Sequence, residues 1–326
     1  MGGSYSAVAV ANWLVDGPKY FGKRGFEMAK ASWLERSPKF DFTGKTACVT
    51  GANAGIGYAT ALSFASSNAT VHMICRNEQR GLEAQQRIVE DTGNDNVFLH
   101  VVDISSNTEV NNFAPIFIEQ CPKLDILINN AMVMPQEYSE SADGNELCLA
   151  TMLGGSYLLT SLLIPQMLKS SSACVINVTS GGMYTVKARV DDLNCRNLKY
   201  DPVLVYAFTK RAQVHVSEIL AKKLAETSIK VHSMHPGWVS TPGLQTSMPD
   251  FYEKNKGNLR TAEEGTDTIL WLANHSEELE TGRFWFDRKI RKTHYRFART
   301  HLSTEQIERL WENIQTLSGY QWQQNF

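Results

Sequence analysis

No run of lysines and arginines stands out anywhere between Met1 and Phe326. The 32 basic and 34 acidic residues nearly cancel, for a formal charge of -2. That excludes an electrostatic footprint for nucleic acid, so no nucleic-acid partner is expected. Closely spaced cysteines are absent too. Cys48, Cys75, Cys121, Cys148, Cys174 and Cys195 stand singly, which excludes a zinc ribbon and a paired redox motif. Three of them lie in apolar runs that read as buried strands, so reduced thiols in a reducing, cytoplasmic setting are expected. No pairing among the eight histidines suggests a metal site in the sequence, and none is expected. No apolar stretch is read as reaching the roughly 18 residues of a membrane span. The run Ala7 to Val15 is interrupted by Asn12 and lacks a basic stretch before it, which argues against a signal peptide.

The N-terminus leaves two readings open. Met1-Gly2-Gly3-Ser4-Tyr5-Ser6 fits the pattern for N-myristoylation, with Gly2 as acceptor. Alternatively, Val10, Trp13 and Leu14 form one apolar helix face that packs on the protein or on a lipid surface. A peripheral membrane contact is therefore kept as an expectation, with packing on the protein favoured.

What is present is a regular alternation. Residues 1–44 form an N-terminal extension ending in a turn at Ser37-Pro38. Residues 45–290 alternate short apolar runs with longer segments of helical period. The predicted strands are Thr46–Thr50, Thr70–Cys75, Val97–Val102, Ile126–Asn129, Cys174–Val178, Ile229–Met234 and Arg283–Phe286. Such a pattern predicts an α/β fold of the Rossmann type. It would be a doubly wound, mainly parallel seven-stranded sheet with helices on both faces. Thr241–Leu259 reads as irregular, and residues 291–326 as a helical C-terminal extension with an amphipathic helix over Ser303–Leu317.

The strongest local signal is Thr50-Gly51-Ala52-Asn53-Ala54-Gly55-Ile56-Gly57, between the first strand and the first following helix. Gly51 permits a tight turn, Gly55 a close backbone approach and Gly57 close helix–strand packing. Ala54, Gly55 and Ile56 open the helix, whose free N–H groups suit a pyrophosphate. The second strand ends Ile74-Cys75-Arg76, with no acid to bond ribose hydroxyls. Arg76, nineteen positions after Gly57, has the planar fork that clamps a 2′-phosphate. The expected cofactor is NADP.

Tyr206 and Lys210 lie four apart, on one face of a helix. A nearby ammonium stabilises phenolate, so the pair suits proton transfer to a carbonyl or from an alcohol. Ser180, at the C-terminal end of the fifth strand, would point its hydroxyl into the ligand crevice.

Taken in order, Thr50–Gly57, Asp103, Asn129-Asn130-Ala131, Ser180, Tyr206/Lys210 and Pro236-Gly237 resemble the short-chain dehydrogenase/reductase family. The resemblance spans about residues 44–290. Ser180-Gly181-Gly182-Met183, Met234-His235-Pro236-Gly237-Trp238 and Asp287-Arg288-Lys289 carry a closer likeness, within a group whose wider kin are retinol-dehydrogenase-like enzymes. The resemblance implies that Ser180 orients substrate, Tyr206 is the acid/base, and Lys210 binds the ribose and tunes Tyr206. It also implies that Asp103 contacts the adenine, Asn130 the adjacent ribose region and Thr241 the nicotinamide amide. The partner would be a small carbonyl or alcohol, apolar if Trp238, Leu244, Met248 and Phe251 line its pocket. Relatives often pair, so a homo-oligomer is open.

Two departures matter. Met132 stands where the family has a glycine after Asn-Asn-Ala, which would put a side chain near the nicotinamide ribose. Aligned on Gly154, Thr151 takes the place of the family's catalytic asparagine, which supports a water linking the lysine to bulk solvent. Threonine lacks the amide's donor and acceptor pair. Chemistry is therefore expected to be weakened rather than lost, and a weakly active or inactive NADP-binding regulatory protein is the alternative.

Overall fold

The computed structural model describes residues 5–34 and 39–323. The Gly2 myristoylation pattern and the Ser37-Pro38 turn lie outside the described residues, apart from Tyr5 and Ser6. Six parallel strands come first: β1 Thr46–Thr50, β2 Thr70–Cys75, β3 Val97–Val101, β4 Ile126–Asn129, β5 Ala173–Val178 and β6 Ile229–Met234. β7, Phe284–Phe286, joins β6 in parallel. An eighth strand, β8 Lys289–Ile290, then pairs antiparallel with β7. The sheet order is β3-β2-β1-β4-β5-β6-β7-β8, so the chain reverses direction between β1 and β4. Ligands bind at such a reversal, beyond the carboxyl ends of the strands.

The expected count of seven strands is thus corrected to eight. The last hairpin turns on Asp287 and Arg288, both at positive φ (52° and 57°). Glycine or asparagine usually signals such a two-residue turn, and neither is present. Here the turn is held from outside. Arg288 Nε and Nη2 donate to the Asp267 carboxylate at 2.8 and 2.5 Å.

Helices cover both faces: α1 Ala7–Asp16, α2 Lys23–Lys30, α3 Gly55–Ser66, α4 Glu78–Thr92 and α5 Asn107–Gln120. They continue with α6 Leu147–Met167, α7 Pro202–Lys223, α8 Ala262–His275 and α9 Thr304–Ser318. One core cluster packs α5, α6, α7 and α9 on one face, and another packs α3, α4 and α8 on the other. Thr241–Leu259, expected to be irregular, contains two short helical turns, Pro242–Ser247 and Pro249–Asn255.

Helix α6 corrects a second expectation. By length and composition it is apolar enough to cross a membrane, with 89% of its apolar window buried inside the protein. Small and hydroxyl residues, Gly154, Gly155, Ser156, Thr160 and Ser161, break up its apolar run in the sequence. It packs as the core helix against β4 and β5.

A third correction concerns α1. Its inward face is Ala9, Val10, Trp13 and, just past its end, Gly17, while Leu14 is 59% exposed. Helical spacing allows both stripes. Packing of Trp13 on Trp238, at 5.4 Å between ring centroids, decides between them.

Candidate active site

The glycine turn is built as its spacing requires. Gly51 and Gly55 adopt φ of +66° and +55°. A Cβ on Gly57 would lie 2.2 Å from the Gly51 carbonyl oxygen, which no side chain can do. Helix α3 has no side-chain cap and no acid in its first turn. Its first N–H groups are therefore unpaired by side chains and favour an anion. Ala54 is exposed at the cap position, and Ile56 lines the neighbouring cavity.

Asn130 holds this turn. Its backbone N–H donates to Thr50 Oγ1 and its side-chain amide to the Thr50 carbonyl, each at 2.9 Å. The amide is committed to the protein rather than offered to the crevice. Thr241 caps the Pro242 turn by accepting from Leu244 N at 3.1 Å. Its methyl lies 3.0 Å from where a Gly55 Cβ would sit, so it faces the opening of α3.

At the far side of the turn, Arg76 Nη1 stands 3.8 Å from Asp103 Oδ2, with the arginine side chain 53% exposed. Asp103 is partly engaged by Ser105, whose N–H and hydroxyl donate to it at 2.9 and 2.7 Å. Residues 51–57, Arg76 and Asp103 thus form one cradle along the carboxyl ends of β1, β2 and β3. Their fit to a dinucleotide rests on the uncapped helix, the glycines without room for a Cβ and the exposed guanidinium.

The second half of the site comes from β5 and α7. Asp201 starts α7 by accepting from Val203 N and Leu204 N at 3.0 Å, with Pro202 in the first turn. The cap fixes the phase of the helix, so Tyr206 and Lys210 face β5. Lys210 is 2% exposed, and its ammonium donates to the Val178 carbonyl at 2.6 Å. Burial lowers its pKa to about 8. Nζ stands 5.9 Å from the Tyr206 ring centroid. Burial pushes the Tyr206 hydroxyl up to about 12, against a hydrogen bond with Ser180 that pulls it down. Ser180 Oγ also accepts from Gly182 N at 3.1 Å. Ser180, Tyr206 and Lys210 therefore converge, as the spacing suggests.

Several positions were invisible to sequence reasoning. Gln213, one turn after Lys210, accepts from Lys210 Nζ at 3.2 Å and donates to the Met152 carbonyl, also at 3.2 Å. Met152 lies in a π-helical stretch of α6, Ala150–Gly155. The glycine pressed on backbone there is Gly155, not Gly154. A Cβ on Gly155 would lie 1.8 Å from the Ile104 carbonyl oxygen, whereas Gly154 faces only the Leu317 side chain. Counting back three from Gly155 gives Met152, so the alignment that singled out Thr151 is one residue early. The Thr151 hydroxyl donates back to the Leu147 carbonyl at 2.8 Å.

His235 is another such position. Its Nδ1 accepts from Gly181 N at 3.0 Å and Gly237 N at 3.3 Å, which ties the Ser180 loop to the loop after β6. Burial holds its pKa well below the usual value, so it is the neutral tautomer with Nδ1 free to accept. His72 and His100, distant in sequence, meet on β2 and β3 at 2.9 Å. Among the described residues, no group of three or more metal-ligating side chains accompanies them.

A cavity of about 390 Å³ opens beside Ser180 and Tyr206. Met132, Trp238, Leu244, Met248 and Phe251 contribute to its apolar lining. The Met132 methyl reaches to 3.6 Å from the Cβ position of Gly243. The methionine thus serves as wall, facing the Thr241–Leu259 segment.

A uncapped helix behind a glycine turn and a serine, tyrosine and lysine at the ends of β5 and α7 define an oxidoreductase of the Rossmann class. The sequence pattern described as short chain dehydrogenase matches residues 45–250, and the chain belongs to that family. It is 38% identical to the dehydrogenase/reductase SDR family member 12 of Bos taurus, over 94% of this chain and 97% of that one. It is 34% identical to human retinol dehydrogenase 12, over 86% and 88%. Among solved structures, an uncharacterized protein from Mycobacterium paratuberculosis superimposes with a TM-score of 0.68 at 26% identity, over 86% and 96%. L-sorbose reductase from Gluconobacter frateurii, complexed with NADPH and L-sorbose, shares the fold, with a TM-score of 0.63 at 22% identity over 76% and 97%.

Proposed function

We propose that this protein is an NADP-dependent oxidoreductase that reduces the carbonyl group of apolar substrates, or oxidises the corresponding alcohols, in the cytoplasm. The observation that carries the reading is the convergence of Ser180, Tyr206 and Lys210 beside an apolar cavity. NADP, when bound, supplies or accepts the hydride.

The chain's own residues do the rest. Ala54, Gly55, Ile56 and Gly57 open helix α3 towards the pyrophosphate, while Gly51, whose N–H donates to the Ile74 carbonyl at 2.8 Å, permits the turn. Arg76 takes the 2′-phosphate, and its 3.8 Å separation from Asp103 leaves the guanidinium fork exposed. Asp103 borders the adenine end, and Thr241 borders the nicotinamide end. Asn130 contributes indirectly, by fixing the glycine turn.

Ser180 orients the substrate oxygen. Tyr206, with a hydroxyl near 12, remains protonated at neutral pH and donates that proton to the forming alkoxide. Lys210 below its pKa of about 8 holds a positive charge next to the phenol as the proton leaves. Residues 45–290 carry this unit, and residues 1–44 and 291–326 extend it.

The binding-only alternative rested on Thr151 and Met132. With the asparagine position at Met152 an amide is still missing there, and it is the Gln213 amide that joins Lys210 to the Met152 carbonyl. The test is direct: purified protein, NADPH or NADH, and a panel of apolar aldehydes and ketones. Consumption of NADPH with at least one of them, and faster than of NADH, supports the reading. No consumption of either coenzyme across the panel contradicts it.

A further inference from the structure

The family pattern covers residues 45–250, yet the catalytic cavity is not closed by those residues alone. Tyr5, Val10 and Trp13 also line it. We propose that helix α1 is a wall of the substrate pocket, and that Val10 and Trp13 select carbonyl substrates with a long apolar body. This deepens the function proposed above and rests on it.

The helix is held firmly at both ends. At its start, Ser6 N donates to the Thr185 carbonyl at 2.8 Å, and Ser6 Oγ to the Ala298 carbonyl at 2.7 Å. Thr185 belongs to the short turn that begins at Ser180, so the helix starts against the catalytic loop. Beyond its end, Trp238 N donates to the Phe21 carbonyl at 2.7 Å, and Arg260 Nη2 to the Tyr20 carbonyl at 3.0 Å. Four hydrogen bonds thus fix the segment to elements that surround the cavity.

Side chains then follow the helical period. Ala9 is fully buried, Val10 and Trp13 are half-buried on the same side, and Gly17 is buried one turn on. Gly17 has a steric reason. A Cβ there would lie 2.3 Å from Trp238 Cζ2, so only glycine lets the chain pass over that indole. Trp238 in turn stacks edge-on against Phe251 at 4.9 Å and tilts against Trp13 at 5.4 Å. The three rings join α1 to the Pro249–Asn255 turn in one apolar surface.

Polar groups in the cavity include the catalytic hydroxyls of Ser180 and Tyr206, while Val10, Trp13, Leu244, Met248 and Phe251 give α1 and the 244–251 segment a mainly apolar shared surface. A carbonyl placed at Ser180 and Tyr206 leaves the rest of its molecule to that surface. Each methylene buried there is worth about a fourfold gain in kcat/KM. Preference for length is then a property of Val10 and Trp13, outside the part of the chain that defines the family.

The experiment compares decanal with butanal, NADPH as reductant, in wild type, Trp13→Ala and Val10→Trp. The quantity read is the ratio of kcat/KM for decanal over butanal. Trp13→Ala removes the wall and is expected to lower the ratio about tenfold, mainly through KM. Val10→Trp fills the pocket and is expected to lower it as well, without opening a cavity that threatens folding. A ratio equal to wild type in both variants overturns the proposal. If wild type reduces neither aldehyde, no ratio exists, and the carbonyl panel alone decides the oxidoreductase reading. Calorimetric titration with 1-decanol then tests the wall alone. Weaker binding in Val10→Trp supports it, and equal binding overturns it.

Discussion

Lys210 and Gln213 are bonded to each other inside the protein, Nζ to Oε1 at 3.2 Å, and the amide of Gln213 passes the contact on to the Met152 carbonyl. Among the described residues, no carboxylate is paired with this ammonium. Its charge rests on two neutral acceptors, the Val178 carbonyl and the Gln213 amide oxygen. The lysine is therefore poised close to losing its proton, at about 8, because burial disfavours the charged form.

A pH dependence follows. Lys210 is charged below about 8 and neutral above it. Carbonyl reduction, which needs the charge beside Tyr206, is expected to fall as pH rises through that value. Gln213→Leu removes one acceptor from the ammonium, favours the neutral form and moves the fall to lower pH. Gln213→Glu adds a negative neighbour and moves it to higher pH. Profiles of kcat/KM against pH for the three proteins check this. Identical profiles would remove Gln213 from any role in tuning the lysine.

Coenzyme choice is expected to depend on Arg76. Its guanidinium has an exposed fork and a distant partner, Asp103 at 3.8 Å. Arg76→Ala is predicted to weaken NADPH binding by about tenfold or more, the scale of a lost charge-assisted hydrogen bond, and to leave NADH binding little changed. Titration with each coenzyme measures it. Equal losses for both would mean that Arg76 does not read the 2′-phosphate.

The strands were legible in the sequence because most are apolar runs with both faces covered, such as Ala47, Cys48 and Val49 in β1, all fully buried. The glycine turn and the Tyr206–Lys210 pair were legible because both are local, with spacings that one turn or one helix face fixes. Gln213 gave no such signal. A glutamine three positions after a lysine is ordinary until α6 places the Met152 carbonyl next to it. Thr151 shows the reverse: a local alignment chose between two adjacent glycines, and only the approach of Ile104 to Gly155 distinguishes them. The eighth strand was missed because Asp287 and Arg288 carry a turn that the sequence does not announce.

Arg260 and Asp287 are the clearest case of a contact between distant positions. Two bonds of 2.6 and 3.0 Å join them, and both side chains are buried. The same guanidinium caps the Tyr20 and Gly22 carbonyls of the N-terminal segment. Arg260→Leu leaves a buried carboxylate unpaired and is expected to cost about 3–5 kcal/mol. Arg260→Leu with Asp287→Leu is expected to recover part of that loss. Denaturant unfolding gives both values. Arg260→Leu is also predicted to expose residues 17–22 to protease, since their carbonyl partners are gone.

Acid lability should track the buried histidines. Burial lowers His72 and His232 each to about 4, from an ordinary value of 6.5. A histidine with a depressed folded pKa binds its proton more readily when unfolded. Stability is then complete above about 6.5 and declines as pH falls from there towards 4. Tm measured across that window is expected to drop. In His72→Phe, whose ring suits a site flanked by Phe98 and Phe117, the drop should be shallower. An unchanged slope would exclude His72 from the acid transition.

The central claim is that Tyr206 is the acid/base of an oxidoreductase whose coenzyme cradle is intact. Tyr206→Phe removes one oxygen from the site and leaves the cradle untouched. The most direct measurement pairs its rate of NADPH-dependent carbonyl reduction with its thermal shift on adding NADPH. A general acid contributes about 10²–10⁴ in rate, so a loss of that size is predicted, with the thermal shift kept at its wild-type value. A variant that reduces carbonyls at the wild-type rate while still binding NADPH would contradict the account.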